Sequence, residues 1–318
     1  MKVRQAVKVP AAVLSAGLLL TGCGLNSSPS TEADTPAANA TGGDGASGSS
    51  AAADSSVEMN PELQALVPED IRSAGVITMA TQAGYPPFGY MDEDGQTIIG
   101  FDVDLANAIG DKLGVDIEVV NTSFDAIIPS LQAKKVDMAM ASIGDTKERE
   151  KIVDFSTYYW NGTVILVKKG NPSGITAEMA CGVDIGVIRG SLQQTTFLPA
   201  HAPKCEEAGQ EPPTAQVYQD GPQAQLALSS GRIDGVMQDA PPLVDQVNKN
   251  PDAFEIAGPL IRNPNPGGVA FPKDSELVEP VNRALNELME DGTYEQIVSK
   301  WGLDDIAIDE SEVNGAIE

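Results

Sequence analysis

Residues 100–120, GFDVDLANAIGDKLGVDIEVV, join a helix pattern to a strand pattern and indicate the class of fold. Apolar side chains recur at close to the 3.6-residue period of an α-helix, at positions 101, 105, 108, 109 and 113. The short stretch 117–120 is strand-like. We therefore expect a helix that leads directly into a strand.

The same alternation continues on both sides of this stretch. A β-rich run at 76–81 precedes it, and a helix at 124–131 and a strand at 136–142 follow it. Further strand-like segments lie at 163–167, 185–188, 216–218 and 235–237, between helical segments at 191–198, 221–230 and 240–248. The pattern predicts an α/β fold with parallel sheets and right-handed crossovers. Ligands of such folds bind at the carboxyl ends of the strands.

Two segments share one design, which suggests two lobes of related architecture with one sheet each. LQAKKVDM at 131–138 and LSSGRIDG at 228–235 both read as a helix end, a turn and a strand opened by aspartate. Chance similarity between two common helix–turn–strand units is the alternative explanation.

The composition excludes several classes of function. The 318 residues carry 46 acidic against 20 basic side chains, a formal charge of −26, so the surface repels phosphate backbones and we expect no nucleic-acid partner. One histidine, His201, and three cysteines cannot build a common histidine-based zinc site. A Ser-His-Asp triad would depend on His201 in the proline-containing stretch 198–204, so we expect neither metal nor catalytic residues.

The N-terminus has the features of an export signal. A basic start and an apolar run at 11–20 precede Leu20-Thr21-Gly22-Cys23, which is similar to a bacterial lipobox. We expect a lipoprotein signal peptide at 1–22 and a lipid on Cys23, with an ordinary secretory signal as the alternative. Residues 23–67 lack Lys and Arg and are rich in Ser, Ala and Gly, so we expect a disordered acidic tether.

Two cysteines then remain for the folded part. Outside the cytosol an even pair predicts a disulfide, here between Cys181 and Cys205. Two buried free thiols are the alternative.

Six motifs occur in the order and at the spacing of a known family: YPPF (85–88), GFDVDL (100–105), FDAIIPSL (124–131), DTKER (145–149), GRID (231–234) and DGTY (291–294). The chain resembles the extracytoplasmic solute-binding proteins of ABC importers for polar amino acids. The resemblance implies a two-lobe periplasmic-binding-protein-like fold. We expect lobe 1 at 68–162 plus 264–304, lobe 2 at 163–263 and a C-terminal tail at 305–318. Two extended crossovers near 161–164 and 258–264 would form the hinge.

The resemblance assigns the two charged ends of an amino acid to Arg149 and Asp239. An arginine fork suits the α-carboxylate because it binds both oxygens at once. Asp239 would contact the ammonium group, and it could also cap the helix that begins at residue 240. An exposed arginine in a helix at 146–151 is the plain alternative for Arg149.

The remaining site residues are also implied by the resemblance. Ala141, Ser142 and Gly144 match a small-residue loop, although hydroxyl residues are usual at the first and last of these positions. Tyr85 and Phe124 match rings that sandwich the ligand side chain, with two core aromatics as the alternative.

The second lobe contributes Ser191 and Leu192 in this comparison. Residues 190–192 would open a helix whose amides face the carboxylate. Leu192 departs from the small or hydroxyl residue that is usual there, so no side-chain contact is expected of it.

Two glutamines bear on the choice of ligand. Gln82 stands where binders of basic amino acids in this family place aspartate, and Gln82 and Gln238 could pair with a side-chain amide. We therefore prefer a neutral polar ligand such as glutamine, while Arg189 leaves an acidic ligand open.

The sequence thus predicts a monomer that binds a free α-amino acid by hinge closure and delivers it to ABC permease subunits. It would lie outside the cytoplasm, attached to the outer face of the cell membrane only through its lipid, without a cofactor. A cyclohexadienyl-dehydratase-like enzyme on the same fold and a ligand-sensing domain are the alternatives.

Overall fold

The computed structural model of the protein describes residues 57–318, and the predicted signal peptide, the Cys23 lipid site and tether residues 23–56 lie outside these residues. The predicted end of the tether at residue 67 is wrong, because residues 61–66 form a helix. Asn60 caps this helix by accepting from the amides of Glu62 and Leu63. Leu63 is fully buried, so the helix packs into the core.

The described chain alternates helices and strands. The helices are α1 (Pro61–Leu66), α2 (Glu69–Ala74), α3 (Phe101–Leu113), α4 (Phe124–Gln132), α5 (Ala202–Glu207), α6 (Gly221–Ser229), α7 (Ala240–Lys249), α8 (Val278–Glu290) and α9 (Thr293–Lys300). The strands are β1 (Val76–Thr81), β2 (Tyr90–Met91), β3 (Ile98–Ile99), β4 (Asp116–Asn121), β5 (Met138–Ala139), β6 (Val153–Tyr159), β7 (Gly162–Lys168), β8 (Asp184–Ile188), β9 (Thr214–Tyr218), β10 (Gly235–Asp239), β11 (Phe254–Ile256), β12 (Ile261–Arg262) and β13 (Gly267–Pro272).

The first sheet has the strand order β4-β1-β5-β13-β6. The large buried side chains of the cluster on this sheet include Phe101 and Ile109 from α3 and Leu285 from α8. A second apolar cluster lies beneath α4, where Ile127 and Leu131 pack against the sheet. Burial of helices over this sheet gives the first lobe its core.

The second sheet has the order β11-β7-β10-β8-β9, and β12 also pairs with β7. Two separate apolar clusters involve strands of this sheet, one with α6 and α7 and one with Ile165, Val187 and Met237. The disulfide between Cys181 and Cys205, with a Cα–Cα distance of 5.4 Å, joins the chain before β8 to α5. The predicted α/β class with two sheet-containing lobes is confirmed.

The expectation of parallel sheets is wrong for part of each sheet. β1 runs parallel to β4 and β5, and β8 runs parallel to β9 and β10. However, β13 is antiparallel to β5 and β6, and β7 is antiparallel to β10. β6 leads to β7 through two residues and β12 leads to β13 through four, and both links pass from one sheet to the other. The antiparallel pairings thus involve strands next to the two passages between the sheets.

Three elements are shorter than their sequence patterns indicate. The strand predicted at 136–142 is reduced to β5, because Ser142 turns the chain with a positive φ of 51°. The helix predicted at 191–198 is a π-helical turn, Gln193–Phe197. The helix predicted at 146–151 is a single 3-10 turn, Arg149–Lys151.

The two chain passages between the sheets lie side by side. The Asn263 amide of one passage donates to the Asn161 carbonyl of the other at 3.1 Å. Residues at or just beyond the ends of β1, β5, β8 and β10 line one pocket, so these strand ends of the two sheets face each other. This arrangement creates a cleft between the lobes.

The predicted tail at 305–318 lies along the edge strand β6. Asn314 accepts from the Phe155 amide at 2.9 Å, and the Glu312 carbonyl accepts from the Thr157 amide at 3.0 Å. These bonds use polar backbone groups that an edge strand otherwise exposes. Within residues 57–318, no helix is both long and apolar enough to cross a membrane.

Candidate ligand-binding site

The cleft between the two lobes has a volume of about 440 Å³, including the part that is open to solvent. Nine of the predicted binding residues line it: Gln82, Tyr85, Phe124, Ser142, Gly144, Arg149, Ser191, Leu192 and Asp239. Two do not. Ala141 packs in the apolar cluster beneath α4, and Gln238, only 1% exposed, lies on the neighbouring side of β10.

Arg149 reaches from the first lobe to the second. Its Nη1 donates to the Gly144 carbonyl at 2.8 Å, and its Nη2 donates to the Gly190 carbonyl at 3.2 Å. Its guanidinium carbon lies 6.0 Å from the centre of the Phe124 ring, within the range of a cation–π contact. Burial lowers the pKa of Arg149, yet an arginine stays charged. The cleft therefore holds a planar cation with further N–H groups to offer.

Asp239 is a buried carboxylate held by neutral donors. Tyr85 Oη and Ser142 Oγ donate to Oδ2 at 3.1 and 3.0 Å, and Gln193 Nε2 donates to Oδ1 at 2.9 Å. Burial nevertheless raises the pKa of Asp239. Such a carboxylate is a natural partner for a cation that enters the cleft.

The suggested capping role of Asp239 is wrong. A capping side chain accepts from the amide of the second or third helical residue. In α7 these residues are Pro241 and Pro242, which have no N–H. Asp239 occupies the N-cap position without a side-chain cap bond, so both of its oxygens are available to the cleft.

Gly144 and Leu192 meet across the cleft. A Cβ atom at residue 144 would lie 2.7 Å from Leu192 Cδ1, closer than real carbon contacts allow. Leucine at 192 thus takes the space that a hydroxyl side chain at 144 would need. The two departures from the expected pattern are therefore neighbours in the folded structure.

Two of the three amides at residues 190–192 that we expected to face the carboxylate have partners elsewhere. The Gly190 amide donates to Gln194 Oε1 at 2.7 Å, and the Ser191 amide donates to the Ile188 carbonyl at 3.1 Å. Both amides are therefore occupied within the second lobe and are not free for a ligand.

The two glutamines differ in their surroundings. Gln82 Nε2 donates to the Gln219 carbonyl of the opposite lobe at 3.0 Å. Both polar atoms of the Gln238 side chain are buried without a hydrogen-bond partner in the described part of the chain. A Cβ atom at Gly221 would lie 3.3 Å from Gln238 Nε2. The Gln238 side-chain amide therefore borders the interface at which the Gln82 side chain reaches the opposite lobe.

Arg189 lies outside the cleft lining. Its Nε is 3.7 Å from Asp125 Oδ2 in the first lobe and 3.3 Å from Gln219 Oε1, to which it donates. Arg189 therefore bridges the two lobes at the rim of the cleft, where its charge is paired with the Asp125 carboxylate.

Sequence reasoning missed four lining residues: Tyr159, Ile188, Gln193 and Asn263. Tyr159 and Asn263 lie at the two passages between the lobes, and this position in the chain could have indicated that they line the cleft. Gln193 carried no signal, because its contact with Asp239 depends on the π-helical geometry of residues 193–197. Within residues 57–318, no group of three or more metal-binding side chains is clustered.

Comparisons with known proteins agree with this architecture. Residues 77–304 match the family profile described as bacterial extracellular solute-binding proteins, family 3. The chain is 31% identical over 254 residues to the arginine-binding protein ArgT of Corynebacterium glutamicum, covering 80% of this chain and 83% of that protein.

Two solved structures are similar over most of the described residues. An ancestral arginine-binding protein bound to glutamine is 39% identical, with a TM-score of 0.65, covering 72% of this chain and 98% of that one. The ancestral amino-acid-binding protein AncCDT-1, a precursor of cyclohexadienyl dehydratase, is 33% identical with a TM-score of 0.63, covering 73% of this chain and 98% of that one.

Proposed function

Since the chain belongs to family 3 of the bacterial extracellular solute-binding proteins, we propose that it binds one free α-amino acid between its lobes and delivers it to an ABC permease. The observation that carries this proposal is the pairing of Arg149 on one lobe with the buried carboxylate of Asp239 on the other. Each of them suits one charged end of a zwitterion.

The charges of the cleft match an amino acid rather than a simple anion or cation. Arg149 offers N–H groups in a plane, which bind both oxygens of a carboxylate. Asp239 has only neutral donors, so an ammonium group would supply the missing positive charge. Each buried charged group would then face a partner of opposite charge, which offsets the cost of its burial.

The side chain of the ligand is best taken as neutral and polar, such as that of glutamine. Among the described residues that line the cleft, Asp239 is the sole carboxylate, so no second acid is present to pair with a basic side chain. Gln82 lines the cleft and carries a neutral side-chain amide, which can pair with another amide. The ancestral relative bound to glutamine supports this choice, although that relative is itself an arginine-binding protein.

An acidic ligand is less favoured, because Arg189 already faces Asp125. The enzyme alternative, to which AncCDT-1 is related as a precursor, requires a general acid in the cleft. Among the described lining residues the sole carboxylate, Asp239, already accepts three hydrogen bonds and suits an ammonium group. Binding without chemistry is therefore the better proposal.

The ligand would favour the closed arrangement by bridging the lobes. A ligand shifts an open–closed equilibrium only through contacts that differ between the two states. Asp239→Asn should fold but lose much of the ligand-driven compaction that small-angle scattering records. Full compaction of this variant at a ligand concentration near the wild-type Kd would contradict the bridging role.

A thermal-shift screen of the twenty amino acids tests the function directly. A ligand at a hundredfold excess over its Kd should stabilise the folded state by about 2.7 kcal/mol. We expect the largest shift from a neutral polar amino acid, with arginine as the informative comparison. No shift from any amino acid, or turnover of a cyclohexadienyl substrate, would overturn the proposal.

We further propose that the protein works as a monomer on the outer face of the cell membrane, anchored only through a lipid on Cys23. Fractionation of cells that express the wild type or Cys23→Ala tests the anchor. The variant should move from the membrane fraction to the soluble extracytoplasmic fraction, and an unchanged distribution would refute it.

A further inference from the structure

The end of the described chain lies against the turn that carries Arg149, and the proposed function gives it no role. We call residues 315–318 the strap. The strap lies beyond residues 77–304, the part of the chain that matches the family profile. The features that place the chain in its family therefore do not account for this segment.

Two hydrogen bonds join the strap to the turn, one on each side of Arg149. The Lys147 amide donates to the backbone oxygen of Glu318 at 2.9 Å. The Ala316 amide donates to Glu150 Oε1 at 3.2 Å. One bond precedes Arg149 in the sequence and the other follows it, so the strap spans the residue whose guanidinium lines the cleft.

The turn itself is short, and its helical part is the single 3-10 turn Arg149–Lys151. Its internal bonds include those from the Arg149 amide to Thr146 Oγ1 at 3.2 Å and from the Glu150 amide to the Thr146 carbonyl at 2.9 Å. A helical segment of this length is not stable alone, because fixing its residues costs more entropy than its few bonds offset. The turn therefore depends on outside bonds, which come from the strap and from Lys273, whose Nζ donates to the Glu150 carbonyl at 2.8 Å.

Asn265 fastens the strap to the passage between β12 and β13. Its Oδ1 accepts from the amides of Ile317 and Glu318 at 2.7 and 2.8 Å, and its Nδ2 donates to the Glu318 backbone oxygen at 3.0 Å. Asn265 is buried, so these bonds lie in a low-dielectric environment that strengthens them. The neighbouring Pro266 carbonyl accepts from the Asp145 amide at 2.9 Å. The passage thus holds both the strap and the segment that leads into the turn.

We propose that Asn265 and the strap position Arg149 for the carboxylate of the ligand. By fixing the backbone of the turn, they would keep the guanidinium in the orientation that reaches the carbonyls of Gly144 and Gly190. Such preorganisation lowers the entropy cost of binding. Asn265 and the strap lie outside the lining of the cleft, so they act only through Arg149. The effect on affinity rests on the proposed function, whereas the effect on the turn is a claim about the ligand-free protein.

Amide hydrogen exchange of the ligand-free protein, followed by NMR, tests the effect on the turn. Deletion of residues 315–318 removes the acceptor of the Lys147 amide, so faster exchange of that amide is expected in any case. The informative amides are those of Arg149 and Glu150, whose acceptors lie within the turn. We expect their exchange to become about fivefold faster or more, the scale of one lost hydrogen bond. Unchanged exchange of both amides would show that the turn holds itself, and would overturn the proposal.

Asn265→Ala and Asn286→Ala form a matched pair of variants. Asn265→Ala releases the strap without creating a new chain end, so it should reproduce the effect of the deletion and replaces it should the deletion variant fail to fold. Asn286 exchanges two hydrogen bonds with Ser311, which precedes the strap. The bonds between Asn314 and Phe155 lie between Ser311 and the strap, so loosening at Ser311 should not reach the turn. Equally fast exchange of the turn amides in Asn286→Ala would contradict a specific role of the strap.

Titration calorimetry with L-glutamine measures the effect on the site. Asn265→Ala should raise Kd about three- to tenfold, the scale of one neutral hydrogen bond, whereas Asn286→Ala should stay within about twofold. In an Arg149→Lys background Asn265→Ala should have a smaller effect, because the fork that the strap orients is already absent. A wild-type Kd in Asn265→Ala, or equal fold-losses in both backgrounds, would overturn the proposal. If the wild type does not bind L-glutamine, the ligand assignment fails, and the exchange measurement still decides whether the strap holds the turn.

Discussion

Replacing Arg149 by lysine tests whether the cleft needs a two-pronged planar cation. The substitution keeps the positive charge but removes the fork whose arms reach the carbonyls of Gly144 and Gly190 at 2.8 and 3.2 Å. A lysine ammonium is a point charge on a flexible stem, so it cannot address two acceptors in one plane.

The expected loss is that of one hydrogen bond to a charged group. This amounts to about 1.5–3 kcal/mol, which corresponds to roughly a 10- to 150-fold rise in Kd. The contact with Gly190 on the second lobe is lost in the same step, so closure should weaken in the same direction. Titration calorimetry with the best ligand from the amino-acid screen measures the change.

Arg189→Lys is the matched control. Its ion pair with Asp125 is long at 3.7 Å and partly exposed, and pairs of this kind contribute about 1 kcal/mol or less. A Kd of Arg149→Lys within about threefold of wild type, at an unchanged melting temperature, would refute the need for a fork.

Three further predictions concern stability and packing. Replacing Cys181 and Cys205 together by alanine should lower the calorimetric melting temperature by roughly 6–12 °C, from about 3 kcal/mol of loop entropy, and leave ligand affinity intact; an unchanged melting temperature would contradict this. Burial, with repulsion from Glu150, raises the pKa of Asp145 to about 7, above its ordinary value of 3.8. The folded state therefore retains a proton that the unfolded chain releases between these values, and stability falls as pH rises. Asp145→Asn should raise the melting temperature at pH 8 with a difference that shrinks towards pH 5, whereas an equal difference at both pH values would count against it. Gly144→Ala should weaken ligand binding through its contact with Leu192, and adding Leu192→Ala should restore part of the loss; additive losses in the double variant would show that the two residues are not coupled.

Much of the fold could be predicted from local patterns. The helical repeat of residues 101–113 coincides with α3, and the strand-like runs at 76–81 and 163–167 correspond to β1 and β7. Patterns of this kind succeed because burial of one face depends on spacing along a single element. They fail at residues 136–142 and 191–198, where the left-handed turn at Ser142 and the π-helical turn depend on neighbours distant in the chain.

The α/β class, the family and most of the residues that line the cleft follow from the order of the amino acids alone, because periodicity and motifs in a fixed order carry them. The mixed strand directions and the role of Gln193 emerge only once the chain is folded. The physical reason is that these features depend on contacts between segments that are far apart in the chain. The two passages between the lobes bring those segments together. A residue's neighbours across the cleft, such as Leu192 for Gly144, are more than forty positions away in the chain, and no local pattern records them.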